Sequence, residues 1–235
     1  MIVILLFVAA LAAVAFWWLG RQGLASRPWL ETGPMDHLPL RGAVAIPAAK
    51  LGLGMFMAVV ATLLLLLLSA YSMRMEMADW SPTPRPGLLW ANTAVLVLAS
   101  VMLHRAARAA QSGEREAVAS NLRLGAGASL LFLLGQLFAW RELARAGYLP
   151  ANNPADAFFY LITAVHGLHL LGGLVALGRA GAKLRHAPPD RLQLSMELCA
   201  AYWHFLLLAW IVLFATLSFS PSLDWLVALC TAPFR

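Results

Sequence analysis

The chain is 235 residues long, and 61% of these residues are hydrophobic while only 12% are charged. So few charges do not cover the surface of a soluble domain, and the mean hydropathy of +0.75 agrees with long apolar segments. The formal net charge of +6 comes from cations scattered between these segments, without the basic run typical of a nucleic-acid-binding surface. The composition therefore excludes both of those classes and predicts a polytopic membrane protein.

Six apolar segments are each close to the about 20 residues that a helix needs to cross the hydrocarbon core. Because lipid offers no hydrogen-bond partners to the backbone, these segments must be helical. The chain is thus predicted to be an all-α membrane protein with six transmembrane helices. The predicted spans are 2–19, 48–71, 88–104, 124–141, 157–178 and 196–219.

These spans divide the chain into three parts. Residues 1–47 are predicted to form an N-terminal transmembrane anchor and a proline-rich connector, residues 48–219 a five-helix bundle, and residues 220–235 a C-terminal tail. The first span has no basic region ahead of it and ends in interfacial aromatic residues such as Phe16 and Trp17. It is therefore expected to be an uncleaved anchor rather than a signal peptide.

The lysines and arginines are distributed unequally between the two sides of the membrane. Since the cytoplasmic side carries the excess of cations, the crowded side is predicted to face the cytoplasm. Both termini are then predicted to be periplasmic, with the chain in a bacterial inner membrane. The crowded side holds twelve of the 17 cations, namely Arg21, Arg27, Arg41, Lys50, Arg105, Arg108, Arg115, Arg123, Arg179, Lys183, Arg185 and Arg191.

Histidines inside two of the spans are the first candidates for chemistry. His166 and His169 are three residues apart and share a helix face. Glu197 and His204 are seven residues apart, again on one face and about 10 Å apart along the axis. The antiparallel fifth and sixth spans bring His169 and His204 to similar depths near the middle of a ~30 Å core. A polar contact between these two histidines is therefore predicted, with Glu197 anchoring the same face near the inner surface.

Four roles are open to these residues on their spacing alone. Two facing histidines can hold a haem iron, histidines with a glutamate can bind a metal, and a chain of such groups can relay protons. The fourth role is hydrogen bonding between closely packed helices. The neighbouring Gly167, Gly172 and Gly173 favour this last role, because small residues let helix backbones approach.

Other polar residues within the spans are few. Gln136 is expected to bond to a neighbouring helix, and Trp140 to be an interfacial anchor. Asn92 and Thr93 are expected to form hydrogen bonds between helices. The sequence contains no Ser/His/Asp array, Gly-rich phosphate loop or paired carboxylates, and so predicts no catalytic site.

Five sequence segments resemble one known family, subunit III of the haem–copper oxidases. The last two motifs, His-Gly-Leu-His within "AFFYLITAVHGLHLLGG" and Glu-(x)4-Tyr-Trp-His-Phe within "ELCAAYWHFLLLAWIVLF", are the most specific. The resemblance covers residues 48–219, so the five-helix bundle is the part that is similar to subunit III. The three earlier segments are "LGMFMAVVATLLLLLLSAY", "LLWANTAVLVLASVMLHRAARA" and "LLFLLGQLFAWREL".

The resemblance implies a non-catalytic subunit of a bacterial terminal oxidase that passes electrons from cytochrome c to oxygen. It implies haem and copper in partner subunits I and II and none in this chain. This subunit would flank and stabilise subunit I, support proton uptake and hold phospholipid in a cleft. The residues implied to be packing and lipid-cleft residues are His166, His169, Glu197, Trp203, His204, Gln136 and Trp140.

Four cations near the inner surface are a further hypothesis, because guanidinium groups pair well with phosphate. They are expected to contact lipid phosphate, although a solvated loop that follows the orientation rule explains them equally well. These cations are Arg179, Lys183, Arg185 and Arg191.

The chain departs from the family pattern at three acidic positions. Ala61 and Thr62 stand where members often carry serine and a buried glutamate, and Ala139 replaces the acid of a Gln-x-x-Glu-Trp element. Leu206 and Leu207 replace a common Val-Asp pair. The loss of these carboxylates favours a scaffold over a proton conductor.

Three alternatives remain beside the oxidase. An accessory subunit of a nitric oxide reductase or of a quinol oxidase belongs to the same wider family. A stand-alone haem- or metal-binding membrane protein would use His166, His169 and His204. A transporter is disfavoured, since the sequence has no repeat symmetry and no helices broken at the midplane.

Overall fold

A computed structural model describes residues 47–84, 86–182, 184 and 188–219 of the chain. Its five helices are all long and apolar enough to cross a membrane, and these described residues include no strand. The all-α class and the five spans after residue 47 are confirmed. The predicted first span, its connector and the tail at 220–235 lie outside the described residues. The helices are α1 (Ala48–Arg74), α2 (Leu88–Gln111), α3 (Arg115–Arg145), α4 (Pro154–Ala182) and α5 (Pro189–Phe219).

The helices are longer than the spans predicted from hydropathy. Helix α3 begins at Arg115 rather than at 124, and α5 begins at Pro189 rather than at 196. Hydropathy marks only the length inside hydrocarbon, whereas the backbone continues in helical form toward the headgroups and water. The end of the bundle where these extensions crowd together carries Lys50, Arg108 and Arg191, and we call it the basic end.

Glycine ends two of the helices. Gly113 after α2 and Gly147 after α3 have φ values of 76° and 90°, which side-chain-bearing residues rarely adopt. Each follows its helix in a Schellman motif: the N–H of Glu114 donates to the Ala109 carbonyl at 3.0 Å, and that of Tyr148 donates to the Leu143 carbonyl at 3.0 Å. The α2–α3 connection is therefore a tight helical hairpin.

Helices α2 and α3 form the most extensive pair of the bundle, and small residues at their contact explain why. A Cβ added at Gly125 would lie 2.8 Å from Cγ of Leu103, and one added at Gly135 would lie 2.0 Å from Oδ1 of Asn92. Helix α5 then packs on α2 and α4, while α4 also contacts α3.

Helix α1 stands apart from this compact group. Among the described helices it contacts α4 and α5 alone. In the most apolar 18-residue stretch of α1 only 6% of the residues are buried, whereas 33% to 44% are buried in the corresponding stretches of the other four helices. Side chains such as Met55, Val59 and Leu66 on α1 are exposed. The sparse packing leaves a lateral opening beside α1, and the candidate site lies there.

Candidate functional site

An elongated space, which we call the α1 cleft, separates α1 from α4 and α5. A cavity of about 430 Å³ lies toward the basic end, between Leu53 and Phe56 of α1 and Gly172 of α4. A second cavity of about 280 Å³ lies nearer the middle of α1, beside Val60 and Leu67. Most of the lining side chains are aliphatic or aromatic, so the cleft suits an apolar occupant such as an acyl chain.

His169 borders both cavities of the α1 cleft. Its Nδ1 lies 2.8 Å from the Val165 carbonyl oxygen, and because a carbonyl only accepts, Nδ1 carries the hydrogen and donates. The carbonyl oxygen of His169 accepts a bond of 3.1 Å from the Tyr202 hydroxyl. The ring of Phe56 on α1 packs against the rings of both His169 and Tyr202. His169 is thus bonded within its own helix at the cleft wall.

Trp203 forms the floor of the larger cavity and is completely buried. Its position depends on Gly173, where an added Cβ would lie 2.8 Å from Cε1 of Tyr202 and 3.0 Å from the Trp203 ring. The indole Nε1 of Trp203 donates to Oγ of Ser129 on α3 at 2.9 Å. Trp203 therefore ties α3, α4 and α5 together behind the cleft.

A polar cluster closes the cleft at the basic end. Oε2 of Glu197 lies 2.7 Å from Nζ of Lys50 in the first turn of α1. Oε1 of Glu197 accepts hydrogen bonds from Gln193 at 2.9 Å and from Gln111 at 3.4 Å. The carboxylate thus joins α1, α2 and α5.

Aromatic packing closes the cleft at the other end. Tyr71 of α1 meets Trp80 and Phe158 edge to face, with ring centroids 5.1 Å and 5.7 Å apart. The loop that follows α1 is fixed to the start of α4, because Thr83 donates to Oδ1 of the buried Asp156 at 2.6 Å. In the same loop, the hydrogen bond from the Arg74 guanidinium lowers the pKa of Asp79.

The predicted contact between His169 and His204 is wrong. His204 faces α2 instead: its Nδ1 lies 2.7 Å from Oγ of Ser100, and its Nε2 lies 3.3 Å from Nδ1 of His104. The two helices are neighbours, but His169 lies on the α1 side of α4 and His204 on the α2 side of α5. The expectation that Glu197 shares the face of His204 is confirmed, since both contact α2.

The two residues that contact His204, Ser100 and His104, were missed by the sequence analysis. A signal was present, because His104 lies seven residues before Gln111 and His204 lies seven after Glu197. Once Gln111 and Glu197 are paired, the two histidines must lie at one depth, about 10 Å from that pair.

Hydrogen bonds between helices connect the core at Asn92 and Thr93, as predicted. The Asn92 amide donates to the Phe132 carbonyl of α3 at 3.4 Å. Thr93 Oγ1 accepts from Trp210 Nε1 of α5 at 2.9 Å. Trp140, expected as an interfacial anchor, also donates from Nε1 to Thr163 Oγ1 on α4 at 3.0 Å.

Gln136 and His166 are buried without such partners. Neither the Oε1 nor the Nε2 of Gln136, nor the Nε2 of His166, is hydrogen-bonded within the described part of the chain. The expected bond from Gln136 to another helix is therefore not formed. His166 borders the second cavity and packs between the rings of Phe132 and Trp210, at centroid distances of 5.8 Å and 5.2 Å.

The four cations proposed for lipid phosphate are only partly described. Arg179 near the end of α4 and Arg191 in the first turn of α5 are exposed at the basic end. Lys183 and Arg185 lie outside the described residues. Nearby, Arg115 donates to the Leu184 carbonyl at 2.8 Å and so links the two loops of that end.

Within 47–84, 86–182, 184 and 188–219, no three His, Cys, Asp or Glu side chains converge as metal ligands do. The class of protein defined by this architecture is a multi-pass helical membrane protein with a lateral apolar cleft.

Comparison with known proteins identifies the family. The family model for cytochrome c oxidase subunit III matches residues 42–221. The probable cytochrome c oxidase subunit 3 of Mycobacterium tuberculosis is 31% identical over 152 residues, which are 60% of this chain and 71% of that protein. Its counterpart in Nocardia farcinica is 30% identical over 149 residues, with the same coverage. The cytochrome c oxidase subunit 3 of Synechocystis sp. is 28% identical over 172 residues, 69% of this chain and 72% of the relative.

The chain therefore belongs to the cytochrome c oxidase subunit III family and is a subunit III of a haem–copper oxidase. Membership implies assembly with other oxidase subunits. The motifs that pointed to this family, around His166 and His204, lie in the matched region.

Proposed function

We propose that this subunit is the non-catalytic flank of the oxidase, where it stabilises catalytic subunit I and holds phospholipid in the α1 cleft. The observation that carries the proposal is the pair of apolar cavities, of about 430 and 280 Å³, beside a helix that the bundle scarcely covers. A helix as exposed as α1 is stabilised by neighbouring molecules that pack into the grooves of its surface. Acyl chains supply that contact without requiring polar partners.

The chemistry along the cleft supports a lipid as the occupant. Its walls are apolar from Leu53 to Leu67, and the basic end carries Arg179 and Arg191. A phospholipid has this same division into apolar chains and an anionic headgroup. We propose that these arginines, together with Lys183 and Arg185, pair with lipid phosphate.

The proposed setting is a bacterial inner membrane with cytochrome c as electron donor. Haem and copper would belong to partner subunits I and II. The positive-inside rule supports a cytoplasmic basic end and periplasmic termini. Support of proton uptake would then be indirect, because Thr62, at the place of the family's glutamate, has no titratable group and donates to the Ala58 carbonyl at 2.9 Å.

A filled cleft tests the lipid proposal. Gly172 borders the larger cavity, and a Cβ added there meets no atom within 4 Å. In Gly172→Leu, the new side chain occupies the cavity, so the purified complex should retain less phospholipid by mass spectrometry and lose activity sooner during turnover.

Gly127→Leu is the matched control, since Gly127 is an exposed helical glycine on α3 with the same open surroundings, and it borders neither cavity of the α1 cleft. It should leave lipid content and working life unchanged. If Gly172→Leu and the unaltered complex retained equal amounts of phospholipid, the proposal that the α1 cleft holds lipid would be wrong. Mass spectrometry of the complex extracted in mild detergent tests the oxidase setting, because a large haem-containing subunit should co-purify.

A further inference from the structure

Two polar side chains in the interior of the bundle, Gln136 of α3 and His166 of α4, lack hydrogen-bond partners at three of their atoms. The two residues are only 3% and 5% exposed. Among the residues that the structure describes, no group bonds to Oε1 or Nε2 of Gln136 or to Nε2 of His166. A buried polar atom without a hydrogen bond is costly, and native proteins contain few of them. These three atoms therefore require a partner.

Contacts on either side of Gln136 place the two side chains at one point of the α3–α4 interface. Phe132, one turn before Gln136, packs its ring against the ring of His166, with centroids 5.8 Å apart. Trp140, one turn after Gln136, donates to Thr163 at 3.0 Å, and Thr163 lies one turn before His166 on α4. Residues four apart share a helix face, and α3 and α4 run in opposite directions. Gln136 thus lies between the two contacts, opposite the turn that carries His166.

The polar groups that surround this point are already bonded to one another. Nε1 of Trp140 donates to Oγ1 of Thr163, and the Thr163 hydroxyl itself donates to a backbone carbonyl of α4 at 2.7 Å. Nε1 of Trp210, whose ring packs beside the imidazole, donates to Thr93 at 2.9 Å. None of these donors can turn to the unpaired atoms without breaking a bond that it already makes.

A direct bond between Gln136 and His166 would satisfy only part of the site. It would use Nε2 of His166 and one polar atom of the Gln136 amide, and would leave the other amide atom unpaired. Water has two hydrogens and two lone pairs, and a buried water typically makes about three hydrogen bonds to groups that otherwise lack partners. Because water both donates and accepts, it suits either tautomer of the imidazole.

We propose that Gln136 and His166 form a binding site for an ordered water molecule, which bridges α3 and α4 inside the bundle. His166 borders the second cavity of the α1 cleft while its Nε2 is enclosed, so the imidazole separates this water from the cleft. The bridge adds a polar link to a helix pair whose contact is smaller than that of α2 and α3. The proposal goes beyond the proposed function and does not depend on it, because both side chains of the site belong to this chain.

Electron cryo-microscopy of the intact complex, at a resolution that shows ordered water, tests the site directly. We expect density for a water within about 2.7–3.2 Å of Nε2 of His166 and of one polar atom of the Gln136 amide. A direct bond between the two side chains would overturn the proposal. Two separate side chains with no density between them would overturn it as well.

Substitution of both sides of the site gives a second test. Gln136→Leu leaves Nε2 of His166 without its bridge, so the temperature at which the heated complex loses this subunit should fall by roughly 5 °C. His166→Phe keeps a ring at that position and removes the remaining polar atom. The double variant should therefore recover at least half of the loss, because an apolar pair needs no water. Losses that simply add in the double variant would show that the two side chains do not share one site.

His169→Phe is the matched control for this recovery. His169 lies three residues further along α4, but its Nδ1 bonds to the Val165 carbonyl of its own helix. Combined with Gln136→Leu, it should recover none of the loss, and recovery equal to that from His166→Phe would contradict a specific site. None of these outcomes depends on the phospholipid content of Gly172→Leu, so the water site and the lipid cleft are tested separately.

Discussion

Nζ of Lys50 lies 2.7 Å from Oε2 of Glu197, and this ion pair joins the first turn of α1 to α5. At the opposite end, α1 is secured by aromatic contacts of Tyr71. Between these two attachments the α1 cleft is apolar and loosely filled. Helix α1 is thus attached to the bundle at both ends, while the surface in its middle is open to contact by other molecules such as lipid.

We expect Lys50→Glu to destabilise the attachment of α1 by about 1 kcal/mol, because it removes a partly exposed ion pair and sets two carboxylates together. Crosslinking efficiency between cysteines introduced on α1 and α5 measures the attachment. The charge swap Lys50→Glu with Glu197→Lys should restore most of it. A swap that behaves like the single variant would show that charge pairing does not hold α1.

Gly135→Ala should destabilise the subunit by about 1–3 kcal/mol, as overpacking does in cores. The added Cβ would lie 2.0 Å from Oδ1 of Asn92 in the tightest helix pair. Thermal unfolding in detergent measures the change.

Gly127→Ala provides the comparison, because no atom lies within 4 Å of a Cβ at that position. It should be neutral or slightly stabilising, since alanine is the better helix former. Adding Asn92→Ala to Gly135→Ala should recover part of the loss. Equal effects of the two glycine variants would contradict the close approach.

We expect His169→Leu and His204→Leu to leave the haem content and the initial turnover of the complex unchanged. His169 is bonded to its own helix and His204 to α2, and neither ring belongs to a group of three metal-ligating side chains in the part of the chain that the structure describes. Both variants should instead shorten the working life of the complex. Absorbance spectra and the first seconds of oxygen consumption measure this, and loss of haem from an assembled variant would contradict it.

The orientation is tested by single cysteines in a background with Cys199→Ala and Cys230→Ala. Ser112→Cys lies in the connection at the basic end, and Asn152→Cys lies in the connection at the other end. Because cations accumulate on the cytoplasmic side, an impermeant maleimide should label only Asn152→Cys in intact spheroplasts. Labelling of Ser112→Cys before lysis would show that the basic end faces the periplasm, which is the opposite of the predicted orientation.

Hydropathy and segment length were enough to locate the five described helices, because a bilayer requires apolar runs of nearly fixed length. They were not enough to define the helix ends. The extra turns of α3 before residue 124 and of α5 before 196 lie where polar side chains no longer carry a hydropathy signal. The glycine-based stops at Gly113 and Gly147 are visible in sequence only once the preceding helix is placed.

Depth was easier to predict than direction. The spacing placed His169 and His204 at similar depths, and one-dimensional arithmetic is sufficient for that. Which neighbour a side chain faces depends on the rotation of each helix, and here Gly173 with the bulky Trp203 sets the α4–α5 contact. The partner of His204 was therefore Ser100 of α2, a residue with no distinguishing motif around it.

The sparse packing of α1 also has a consequence for biogenesis. Synthesis proceeds from the N-terminus, so α1 leaves the ribosome before α4 and α5, the two helices it contacts in the described part of the chain. Helices α2 and α3 can pair at once through their tight hairpin, but α1 waits for the rest of the chain. A truncation that removes α5 would therefore also take away Glu197 and Tyr202, and leave an already inserted α1 without most of its attachment. Membrane quality-control proteases would then recognise the unattached α1 at the start of the bundle, although the truncation itself lies at α5, far away in sequence.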